Sequence, residues 1–598
     1  MTTQILTSDP AAGARRTRWT ADAAQLALGC MLVAASVLVP DWLGNAYWTH
    51  SFRMVNLLIA AAVFQNLLLH DGGQTSFGQG AIFGVAGYVT AIAVGMHGQS
   101  YALGASLGVG AAIMAGLLYA LPALRVQGYY LGFVTMSAAT VFPELLVAFD
   151  RQTNGVTGIT LSLDAWQARS VFGVSPLSLA LAVLACGAMM LHVLIRRTAF
   201  GRRLRVAAVS PEAAQSLGIS PGVMRCIAFV IVAAGTGAAG VLYPPVVGFV
   251  SPTAFNAELS ILLFFAVIVG GRGQILGPVV GVWLLYLLPN ALLADLLQYR
   301  LLAYGLVALI VMLAFPDGVV GTLGKWRRRR AAAGGPLDLH FRGLMSVLAP
   351  TVGQHGEPAR HAAIEVRGAR KTFGSVIAID DADLTVKRGE IHGLVGANGS
   401  GKTSLLNVLS GFSRLDAGSV RLGGAEVSHL SPTRVARRGL GRTFQKPRIF
   451  STMSLWENVE IGLDANPRRH RASRRFGAAL ATLAASMDGQ SVDLVPHGQR
   501  RLVEVMRVLL KGADILLLDE PAAGLSPSER EDFKVLLQRL RDELGMTIVI
   551  VEHDLELVWG IADRISVLEA GKVMAQGTPA EIATHPVAQK LFIEPTHA

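Results

Sequence analysis

The sequence IHGLVGANGSGKT, residues 391–403, decides the fold of the second half of the chain. Its apolar run 391–395 predicts a buried strand, the glycine-rich run 396–403 predicts a loop, and residues 404–410 predict a helix. This order, together with the spacing G-x-x-x-x-G-K-T, indicates a site for the phosphates of a nucleoside triphosphate. The reason is steric and electrostatic, because glycines let backbone N–H groups approach phosphate oxygens at the positive end of a helix.

The candidate nucleotide-binding residues of this loop are Gly396, Asn398, Gly399, Ser400, Gly401, Lys402, Thr403 and Ser404. The ammonium of Lys402 suits the β- and γ-phosphates, and the hydroxyl of Thr403 suits Mg²⁺. An ordinary glycine-rich turn is the alternative, and the companion motifs further along the chain argue against it. The sequence therefore predicts ATP and Mg²⁺ as ligands.

The composition divides the chain into a membrane half and a soluble half. A length of 598 residues exceeds one hydrophobic core, and 52% apolar with 16% charged residues is too apolar for a wholly soluble protein. The long uncharged runs lie before Gly324, whereas most acidic residues lie from Glu365 onward. We predict a membrane domain over residues 1–324, a linker over 325–362 and an ATP-binding domain over 363–598.

The net charge of +11 raises the question of nucleic acid. Many positive residues flank apolar runs, as in membrane proteins, and basic patches interleaved with aromatic residues are missing from the sequence. We therefore expect no nucleic-acid partner. The cysteines Cys30, Cys186 and Cys226 sit inside apolar runs without C-x-x-C spacing, so we expect small reduced residues.

Ten apolar segments approach the ~20 residues that a membrane-spanning helix needs. They are residues 24–39, 54–69, 77–96, 102–121, 129–149, 176–195, 224–246, 259–269, 277–288 and 301–315. Several of the last segments are short, so the expected fold is a polytopic all-α membrane domain of about 8–10 helices followed by an α/β P-loop ATPase domain. Ionisable residues are nearly absent from these segments, which predicts a solute path of small, apolar and hydroxyl side chains.

Charged flanks predict how these segments are oriented. Arg15, Arg16 and Arg18 precede the first segment, and a convincing cleavage site does not follow it, so we expect an uncleaved first span with a cytoplasmic N-terminus. Basic clusters at 196–205 and 325–330 then fall on the cytoplasmic side, as the positive-inside rule requires. The arginines of the linker are expected to lie against anionic lipid head groups.

A short helix is predicted between the sixth and seventh apolar segments. Ser210 suits its cap, Pro211 its first position and Gly218 its C-terminal stop. Such a helix suits contact with another domain, and the alternative is a helix on the membrane surface.

The membrane half resembles a known family over residues 71–320. The similar stretches are SFGQGAIFGVAGYVTAI (76–92), GYYLGFVTMSAAT (128–140), TNGVTGI (153–159), TAFGRRLRVAAVSPEAAQSLGIS (198–220), GVLYPPVVGFVSPTAF (240–255) and VIVGGRGQILGPVVG (267–281). They resemble the permease subunit of the branched-chain amino-acid uptake systems, which are bacterial ABC importers.

This resemblance implies a coupling helix, containing Glu212, Ala213, Ala214 and Gly218, that docks on the ATPase. It implies a multi-pass protein of the bacterial inner membrane with a cytoplasmic ATPase. The implied partners are a second permease and a second ATPase subunit, or a second copy of this chain, and an extracytoplasmic solute-binding protein. Branched-chain amino acids are the first solute class, and these motifs leave urea, amides or another small organic acid open.

The soluble half carries motifs that resemble those of ABC ATPases in their order. Phe373 resembles the aromatic residue that stacks on adenine, and Gln445 of RTFQ resembles the glutamine that reaches Mg²⁺ and the attacking water. In ILLLDEP, Asp519 suits Mg²⁺ and Glu520 suits the general base for that water. His553 resembles the histidine that hydrogen-bonds the γ-phosphate.

The signature motif departs from the family pattern. The matching residues are Pro496, His497, Gly498 and Gln499, and the resemblance implies that they face the ATP of the partner subunit. Pro496 has neither a hydroxyl nor an N–H, so two potential donors to phosphate are missing. Either the family tolerates this variation or the ATP site completed by this loop hydrolyses slowly.

A second departure is length, because only 54 residues separate Gln445 from Gln499, where a longer helical subdomain is expected. Residues 468–475 within it read as a solvated basic face.

The predicted function is an ATP-driven importer half-transporter in which a permease is fused to its ATPase. An ABC exporter is the first rival, but exporters use long helices that project into the cytoplasm, and the loops here are short. The second rival is an ATP-gated or signalling membrane protein with degenerate catalysis.

Overall fold

The computed structural model describes residues 10–126, 128–161, 173–292, 299–331, 362–465, 487, 492, 495–553, 555–587 and 589. The basic face predicted at 468–475 and all but the ends of the predicted linker lie outside these residues. The chain divides into two compact units, which are described separately. Among the described residues, the helical unit comprises those within Thr17–Ala208 and Pro221–Gly334, and the α/β unit comprises those within Met1–Arg16, Val209–Ser220 and Gly335–Ala598.

Helices make up most of the first 331 residues. Their bounds are Pro10–Leu43, Ala46–Asn66, Gln79–Ala91, Tyr101–Ala123, Tyr129–Ala148, Asp150–Thr153, Pro176–Arg197, Ala199–Val209, Pro211–Ser216, Pro221–Gly240, Tyr243–Val247, Ala257–Gly270, Gly277–Val282, Leu288–Leu292, Arg300–Ala314 and Gly318–Ala331. Wider π-turns extend three of them, over Leu67–Asp71, Ile92–Met96 and Trp283–Leu287. A two-residue ladder pairs β1 (Ile159–Thr160) with β2 (Phe249–Val250).

Among the described residues, nine helical segments are long and apolar enough to cross a membrane. Spans 1 to 9 are Asp22–Trp42, Ala46–Asp71, Gln79–Met96, Tyr101–Ala123, Tyr129–Ala148, Pro176–Arg197, Pro221–Val247, Pro252–Gly270 and Gly305–Trp326. A shorter apolar helix, Gly277–Asn290, lies between spans 8 and 9. The prediction of about eight to ten helices is confirmed.

The last predicted segment, 301–315, is longer in the structure than in the sequence analysis. One helix ends at Ala314 and the next runs over Gly318–Ala331, so the apolar residues after Pro316 belong to span 9. Helices usually end before a proline, because its ring disfavours helical backbone at the preceding residue. Lys325, where the linker was predicted to begin, lies within this second helix.

Close approach of small residues packs the helical unit. A Cβ on Gly116 of span 4 would lie 2.3 Å from the Cβ of Ala233 in span 7. That distance is far below van der Waals contact, so glycine is required where these helices meet.

One buried ionisable pair of the spans was not predicted from the sequence. Asp71 at the end of span 2 and His192 in span 6 are both buried, and the Asp71 Oδ2 atom lies 2.8 Å from His192 Nε2. Each residue lies near the end of an apolar run, where the sequence alone does not distinguish it from a polar residue that flanks a span. Only the packing of spans 2 and 6 buries and pairs them.

The α/β unit contains two sheets. Their strands are β3 (Ile364–Phe373), β4 (Val376–Val386), β5 (Ile391–Val395), β6 (Ala417–Leu422), β7 (Ala425–Glu426), β8 (Leu440–Arg442), β9 (Ile515–Asp519), β10 (Thr547–Val551), β11 (Arg564–Glu569) and β12 (Lys572–Gly577). The larger sheet has the order β12-β11-β5-β10-β9-β8, parallel except for the β11–β12 pair, and the smaller antiparallel sheet has the order β4-β3-β6-β7.

Seven described helices longer than one turn accompany these sheets. They are Lys402–Leu409, Pro432–Arg437, Leu455–Ala465, His497–Lys511, Pro527–Leu544, Leu555–Ile561 and Pro579–Thr584. The strand predicted at 391–395 has these bounds in the structure, and the helix predicted at 404–410 begins two residues earlier, at Lys402.

The parallel strands bring the motif residues to one edge of the larger sheet. The last residues of β9 and β10, Asp519 and Val551, are directly paired, and Val551 also pairs with Leu394 of β5. Because parallel strands end at the same edge, the loops that follow β5, β9 and β10 meet there. In open α/β sheets, ligands bind at this carboxyl edge of the strands.

Candidate functional site

The glycine-rich loop after β5 is shaped by three left-handed glycines. The φ angles of Gly396, Gly399 and Gly401 are 156°, 81° and 104°. A Cβ on Gly396 would lie 2.1 Å from the carbonyl oxygen of Leu568, and one on Gly401 would lie 2.3 Å from that of Ala378. Side chains are therefore excluded, and the loop keeps the narrow turn that a phosphate cradle needs.

The residues around these glycines differ in exposure. Asn398 is exposed and Ser400 is buried, while Thr403 is exposed and Ser404 is half-buried in the first turn of the helix that begins at Lys402. The helix start directs unpaired backbone N–H groups toward the loop.

Lys402 folds back over its own loop. Its Nζ donates to the carbonyl oxygens of Gly396 and Ala397, at 2.8 Å each, and the side chain is buried. Burial lowers the pKa of Lys402, and the carboxylates of Glu520 and Asp519 oppose that effect. Neutral carbonyls are weaker acceptors than phosphate oxygens, so this ammonium is poised to exchange them for a triphosphate.

Asp519 ends β9 and is buried, with Arg442 as its neighbour. The Arg442 Nη2 atom lies 3.4 Å from Asp519 Oδ2, and Arg442 Nη1 donates to Asn407 Oδ1 at 2.7 Å and to Ser410 Oγ at 2.6 Å. Burial raises the pKa of Asp519, and Arg442 opposes the rise. Arg442 thus joins this carboxylate to the helix that follows the glycine loop.

Sequence reasoning missed Arg442. Its one visible signal is its place three residues before Gln445, in RTFQ. Its partners lie 32 to 77 residues away along the chain, so no local spacing predicts them.

Glu520 lies at the centre of the site. Its backbone is left-handed, with φ 46°, and its N–H donates to the carbonyl of Val551 at 2.9 Å. Gln445 Nε2 donates to Glu520 Oε2 at 2.8 Å, and His553 Nε2 lies 3.0 Å from Glu520 Oε1. The structure therefore brings three predicted catalytic residues together around one carboxylate, which is the geometry of a base held for proton transfer.

The donor set near this carboxylate fits a magnesium ion. Thr403 offers a hydroxyl, Asp519 a carboxylate and Gln445 a carboxamide, and hard oxygen ligands are those that Mg²⁺ prefers. In the part of the chain that the structure describes, no group of three or more His, Cys, Asp or Glu side chains could hold a metal. Such a sparse set suits Mg²⁺, which usually takes its other ligands from substrate phosphates and water.

Phe373 ends β3 and has an exposed ring. The β3–β4 hairpin touches the glycine loop through the carbonyl of Ala378, and Lys371 Nζ lies 5.4 Å from the Phe373 ring centroid. Asp416 accepts from Lys371 Nζ at 2.8 Å and from the Thr372 N–H at 2.7 Å, and these hydrogen bonds lower the pKa of Asp416. The strand end is thereby held while the ring stays open to a stacking partner.

The predicted signature residues begin a long helix, His497–Lys511. Pro496 takes the cap position, and its side chain makes no cap hydrogen bond. A Cβ on Gly498 would lie 2.5 Å from Glu529 Oε1, and Gln499 is half-buried. The side chain of His497 lies outside what the structure describes.

Arg501 on this helix reaches the loops of Gln445 and Glu520. It is buried, donates from Nη2 to the carbonyl of Gln445 at 2.7 Å and to that of Glu520 at 3.4 Å, and pairs through Nη1 with Glu504 at 2.9 Å. Burial raises the pKa of Glu504, and Arg501 opposes the rise. The sequence shows Arg501 only as part of an arginine-rich helix start.

The short helix predicted between the spans is confirmed as Pro211–Ser216. The Ser210 side chain accepts from the N–H of Ala213, and Gly218 follows with φ 78°. Ala213 and Ala214 are buried, whereas Glu212 is exposed. We call residues 210–218 the coupling segment.

The coupling segment is bound within the α/β unit. Arg437 Nε donates to the carbonyl of Gly218 at 2.9 Å, and Lys511 Nζ donates to that of Ser216 at 2.9 Å. Arg448, three residues after Gln445, pairs with Glu212 at 2.5 Å and donates to Ser210 Oγ at 3.3 Å. The loop that carries Gln445 therefore also holds the start of the coupling segment.

Lys511 ends the helix that begins with the signature residues. Besides Ser216 it donates to the carbonyl of Leu440 in β8 at 2.7 Å, and burial lowers its pKa to about 7. One ammonium thus joins the signature helix, the strand leading to Gln445 and the coupling segment.

We expect Lys511 to make the stability of the α/β unit rise with pH between about 7 and 10.5. In that window the folded protein has released this proton and the unfolded chain, with an ordinary lysine pKa of 10.5, retains it. Thermal unfolding of the full chain, with Lys511→Met compared at both ends of the window, measures the effect. The parent should gain stability relative to the variant as pH rises.

The control for this titration is Lys534→Met. Lys534 pairs with Glu531 on the helix Pro527–Leu544. That variant should keep the pH slope of the parent. An equal slope in the Lys511→Met variant and the parent would contradict the prediction.

Two family models match the chain in consecutive regions. Residues 48–316 match the permease component of the branched-chain amino acid transport system, and residues 379–523 match the ABC transporter model.

Curated relatives match the second region. The chain is 34% identical over 247 residues to the high-affinity branched-chain amino acid transport ATP-binding protein BraF of Pseudomonas aeruginosa, covering 38% of this chain and 97% of that protein. It is 36% identical over 248 residues to the corresponding protein LivG of Salmonella typhimurium, again with 38% and 97% covered. A solved nucleotide-free ATP-binding cassette from an ABC transporter covers 39% of this chain at 26% identity and a TM-score of 0.35.

The α/β unit is accordingly an ABC ATPase domain that binds ATP, and the helical unit makes this a multi-pass membrane protein. The chain belongs to the branched-chain amino-acid ABC uptake family, and it fuses that family's membrane permease subunit to an ATP-binding subunit.

Proposed function

We propose that this chain is one half of an ATP-driven importer of small solutes, foremost branched-chain amino acids. The observation that carries the proposal is the binding of the coupling segment by the loop of Gln445. Arg448 of that loop holds Glu212 and Ser210, and Gln445 itself donates to Glu520. A change at the catalytic carboxylate therefore has a short path to the segment that joins spans 6 and 7.

The residues around the glycine loop take the roles that their chemistry supports. Gly396, Asn398, Gly399, Ser400, Gly401, Lys402, Thr403 and Ser404 hold the triphosphate of ATP, and Phe373 stacks on its adenine. Glu520 takes the proton of the attacking water, while Gln445 orients that water and His553 hydrogen-bonds the γ-phosphate. Thr403, Gln445 and Asp519 would hold Mg²⁺, which supplies charge stabilisation for the transferred phosphoryl group when bound.

The composite ATP site implies a second subunit. Pro496, His497, Gly498 and Gln499 stand at the start of a helix, where backbone N–H groups suit the γ-phosphate of a partner's ATP. The partner is a second permease with its ATPase, or a second copy of this chain. Because Pro496 lacks a hydroxyl, the ATP site completed by this loop hydrolyses ATP more slowly than the other site. The test measures ATP turnover of the complex with the catalytic glutamate of each subunit mutated separately. Equal losses of turnover in the two variants would reject this difference.

Import fits the coupling segment better than export. Between spans 6 and 7, only the twelve residues Val209–Ser220 belong to the α/β unit. Exporters instead rely on long helices that project into the cytoplasm. The proposal places the N-terminus and residues 363–598 in the cytoplasm and residues 1–324 in a bacterial inner membrane, with lipid against the basic start of the 325–362 linker. An extracytoplasmic binding protein delivers the solute.

Solute uptake against a gradient tests the proposal. Cells that lack this chain, complemented with the parent or with Glu520→Gln, are given radiolabelled L-leucine, with L-isoleucine, L-valine, urea and small amides as competitors. We expect accumulation with the parent, competition by the branched-chain amino acids and none with the variant. If only urea or amides compete with L-leucine, the solute class is urea or amides and not branched-chain amino acids. ATP-dependent efflux of the solute would contradict import.

Glu212→Gln should uncouple transport with little effect on stability. The Arg448 and Glu212 side chains are 41% and 53% exposed, and ion pairs at such sites contribute about 0–1 kcal/mol. The stimulation of ATP hydrolysis by solute and its binding protein should fall about fivefold or more, because coupling between linked sites has that magnitude. Phosphate release by the purified complex, with and without L-leucine and binding protein, measures it.

Asp542→Asn is the matched control for this variant, because Asp542 is an exposed carboxylate paired with Arg541 far along the helix Pro527–Leu544. Its stimulation should equal that of the parent. Undiminished stimulation in Glu212→Gln would remove this ion pair from the path.

A further inference from the structure

A buried carboxylate lies where three helices of the helical unit meet. Asp71, the last residue of span 2, is fully buried, and its Oδ2 atom lies 2.8 Å from His192 Nε2 of span 6. Its Oδ1 atom lies 3.8 Å from Arg196 Nε and 3.7 Å from Arg205 Nε. Arg196 ends span 6, and Arg205 lies on the next helix, Ala199–Val209.

The loop that follows span 8 is fastened to the same place. Arg196 Nη1 donates to the carbonyl of Gly273 at 2.7 Å, and Arg272 Nη2 donates to that of Leu69 at 2.8 Å. The N–H of Gly273 donates to Asn66 Oδ1 at 2.8 Å. Residues 271–274 are therefore held by span 2 and by the arginine that also faces Asp71.

A buried cluster of charged residues costs free energy, because ionisable side chains inside a membrane domain lose their hydration. Breaking a buried ion pair leaves one charge buried without its partner. Such residues therefore mark functional positions more often than positions that only pack the helices. Spans 4 and 7, in contrast, meet through small residues, at Gly116 and Ala233.

The location of Arg205 relates the cluster to the coupling segment. Helix Ala199–Val209 is followed directly by Ser210, so Arg205 stands five residues before the coupling segment on a continuous helix. Arg205 Nη2 also donates to the carbonyl of Arg196 at 3.0 Å. The helix is continuous from Arg205 to its end at Val209, and Ser210 after it is extended, so a displacement of the coupling segment that moves Val209 must shift Arg205 relative to Asp71 or carry Asp71 with it.

We propose that Asp71 is a positioning residue that joins the helix Ala199–Val209 to the ends of spans 2 and 6 and to loop 271–274. Through Asp71, a displacement of the coupling segment driven by ATP is transmitted to the helical unit. This inference rests on the proposed function and names where its motion is received. Two discrete arrangements of the Asp71 pairs, and not gradual deformation, are what a packed interior permits.

The test measures hydrogen exchange on the complex purified through a tagged full chain in lipid nanodiscs, with Mg-ATP as the probe. In the parent, Mg-ATP should protect residues 396–404 and change exchange at 271–274 by about fivefold or more. Asp71→Asn alone leaves buried guanidinium groups without this carboxylate and is expected to lower the thermal midpoint. The double variant Asp71→Asn/Arg205→Gln removes one charge of each sign and is expected to restore it.

The double variant should then keep the protection at 396–404 and lose the change at 271–274. A double variant that regains stability and also keeps the ATP-dependent change shows a purely structural cluster and overturns the inference, as does a parent without any change at 271–274. If the double variant fails to fold, Arg205→Lys replaces it, because this variant retains the charge but not the guanidinium geometry. An unaltered change in hydrogen exchange at 271–274 in Arg205→Lys also overturns the inference.

Asp41→Asn is the control, because Asp41 pairs with Arg53 at 3.9 Å, and Arg53 donates to Ser178 and Ser175 at the start of span 6, away from the helix Ala199–Val209. In Asp41→Asn, the change in hydrogen exchange at 271–274 on adding Mg-ATP should match that of the parent. If this variant also loses the change, then disrupting any ion pair between spans has the same effect, and the assignment to Asp71 is overturned. L-leucine uptake is read separately, so a failed solute assignment leaves the exchange result intact.

Discussion

Glu520→Gln lowers ATP hydrolysis by about 10²–10⁴-fold, the range contributed by a positioned general base, and leaves ATP binding intact. The variant keeps the side-chain volume. Its carboxamide keeps one oxygen to accept from Gln445 Nε2, which lies 2.8 Å from Glu520 Oε2, and places its NH2 group toward His553 Nε2, which lies 3.0 Å from Glu520 Oε1. What is lost is the capacity to take a proton from water. Phosphate release and nucleotide binding by the complex, purified through the full chain, measure the two effects separately.

The matched control is Glu531→Gln, which removes an exposed carboxylate from the helix Pro527–Leu544. Hydrolysis by that variant should equal the parent rate. A loss of less than about tenfold in Glu520→Gln would contradict the role of Glu520 as base, provided that the partner's site is inactivated in the same complex. His553→Ala should slow hydrolysis and leave the base in place.

Arg501→Met destabilises the α/β unit by about 3–5 kcal/mol, the usual cost of removing one partner from a buried ion pair. Arg501 and Glu504 have side chains only 1% and 3% exposed, so Glu504 would remain buried without its ion-pair partner. The carbonyls of Gln445 and Glu520 also lose a donor. Calorimetric unfolding of the full chain, followed on the transition of the α/β unit, measures the loss.

The double variant Arg501→Met/Glu504→Gln should recover most of that stability, since it removes both charges and keeps an acceptor for the Phe444 N–H. Arg500→Met is the neighbouring control: Arg500 is half-buried and donates to the carbonyl of Val495 at 2.8 Å. It should cost less than about 1 kcal/mol. Equal losses for the two arginines, or no recovery in the double variant, would contradict the prediction.

Local chemistry made much of the nucleotide site predictable. The strand Ile391–Val395, the loop with Lys402 and the acidic end of β9 are encoded by contiguous residues whose spacing is itself the signal. The coupling segment was predictable for the same reason, because Ser210, Pro211 and Gly218 cap one short helix within nine residues.

Long-range partners were not predictable in this way. Arg442 meets Asp519 across 77 residues, Lys511 meets Ser216 across 295, and Asp71 meets His192 across 121. The sequence shows that Arg442, Lys511 and Asp71 are ionisable but not which residues are buried with them. The buried pair of Asp71 and His192 was not predicted for this reason.

The sequence by itself determined the fold class, the fusion of a membrane permease with an ABC ATPase, and the loop from Gly396 to Thr403 as the candidate cradle for phosphate. The fold class and the loop rest on hydropathy and turn chemistry, which act over a few residues, whereas the fusion of permease and ATPase rests on the resemblance of sequence motifs to a known family. Only the tertiary structure decided that Gln445 and His553 share the Glu520 carboxylate, and that Arg501 connects the helix His497–Lys511 to the loops of Gln445 and Glu520. It also decided that Asp71 lies where three helices meet. The physical reason is that the energy of a buried charge depends on its neighbours in space, and chain folding brings those neighbours together from distant positions.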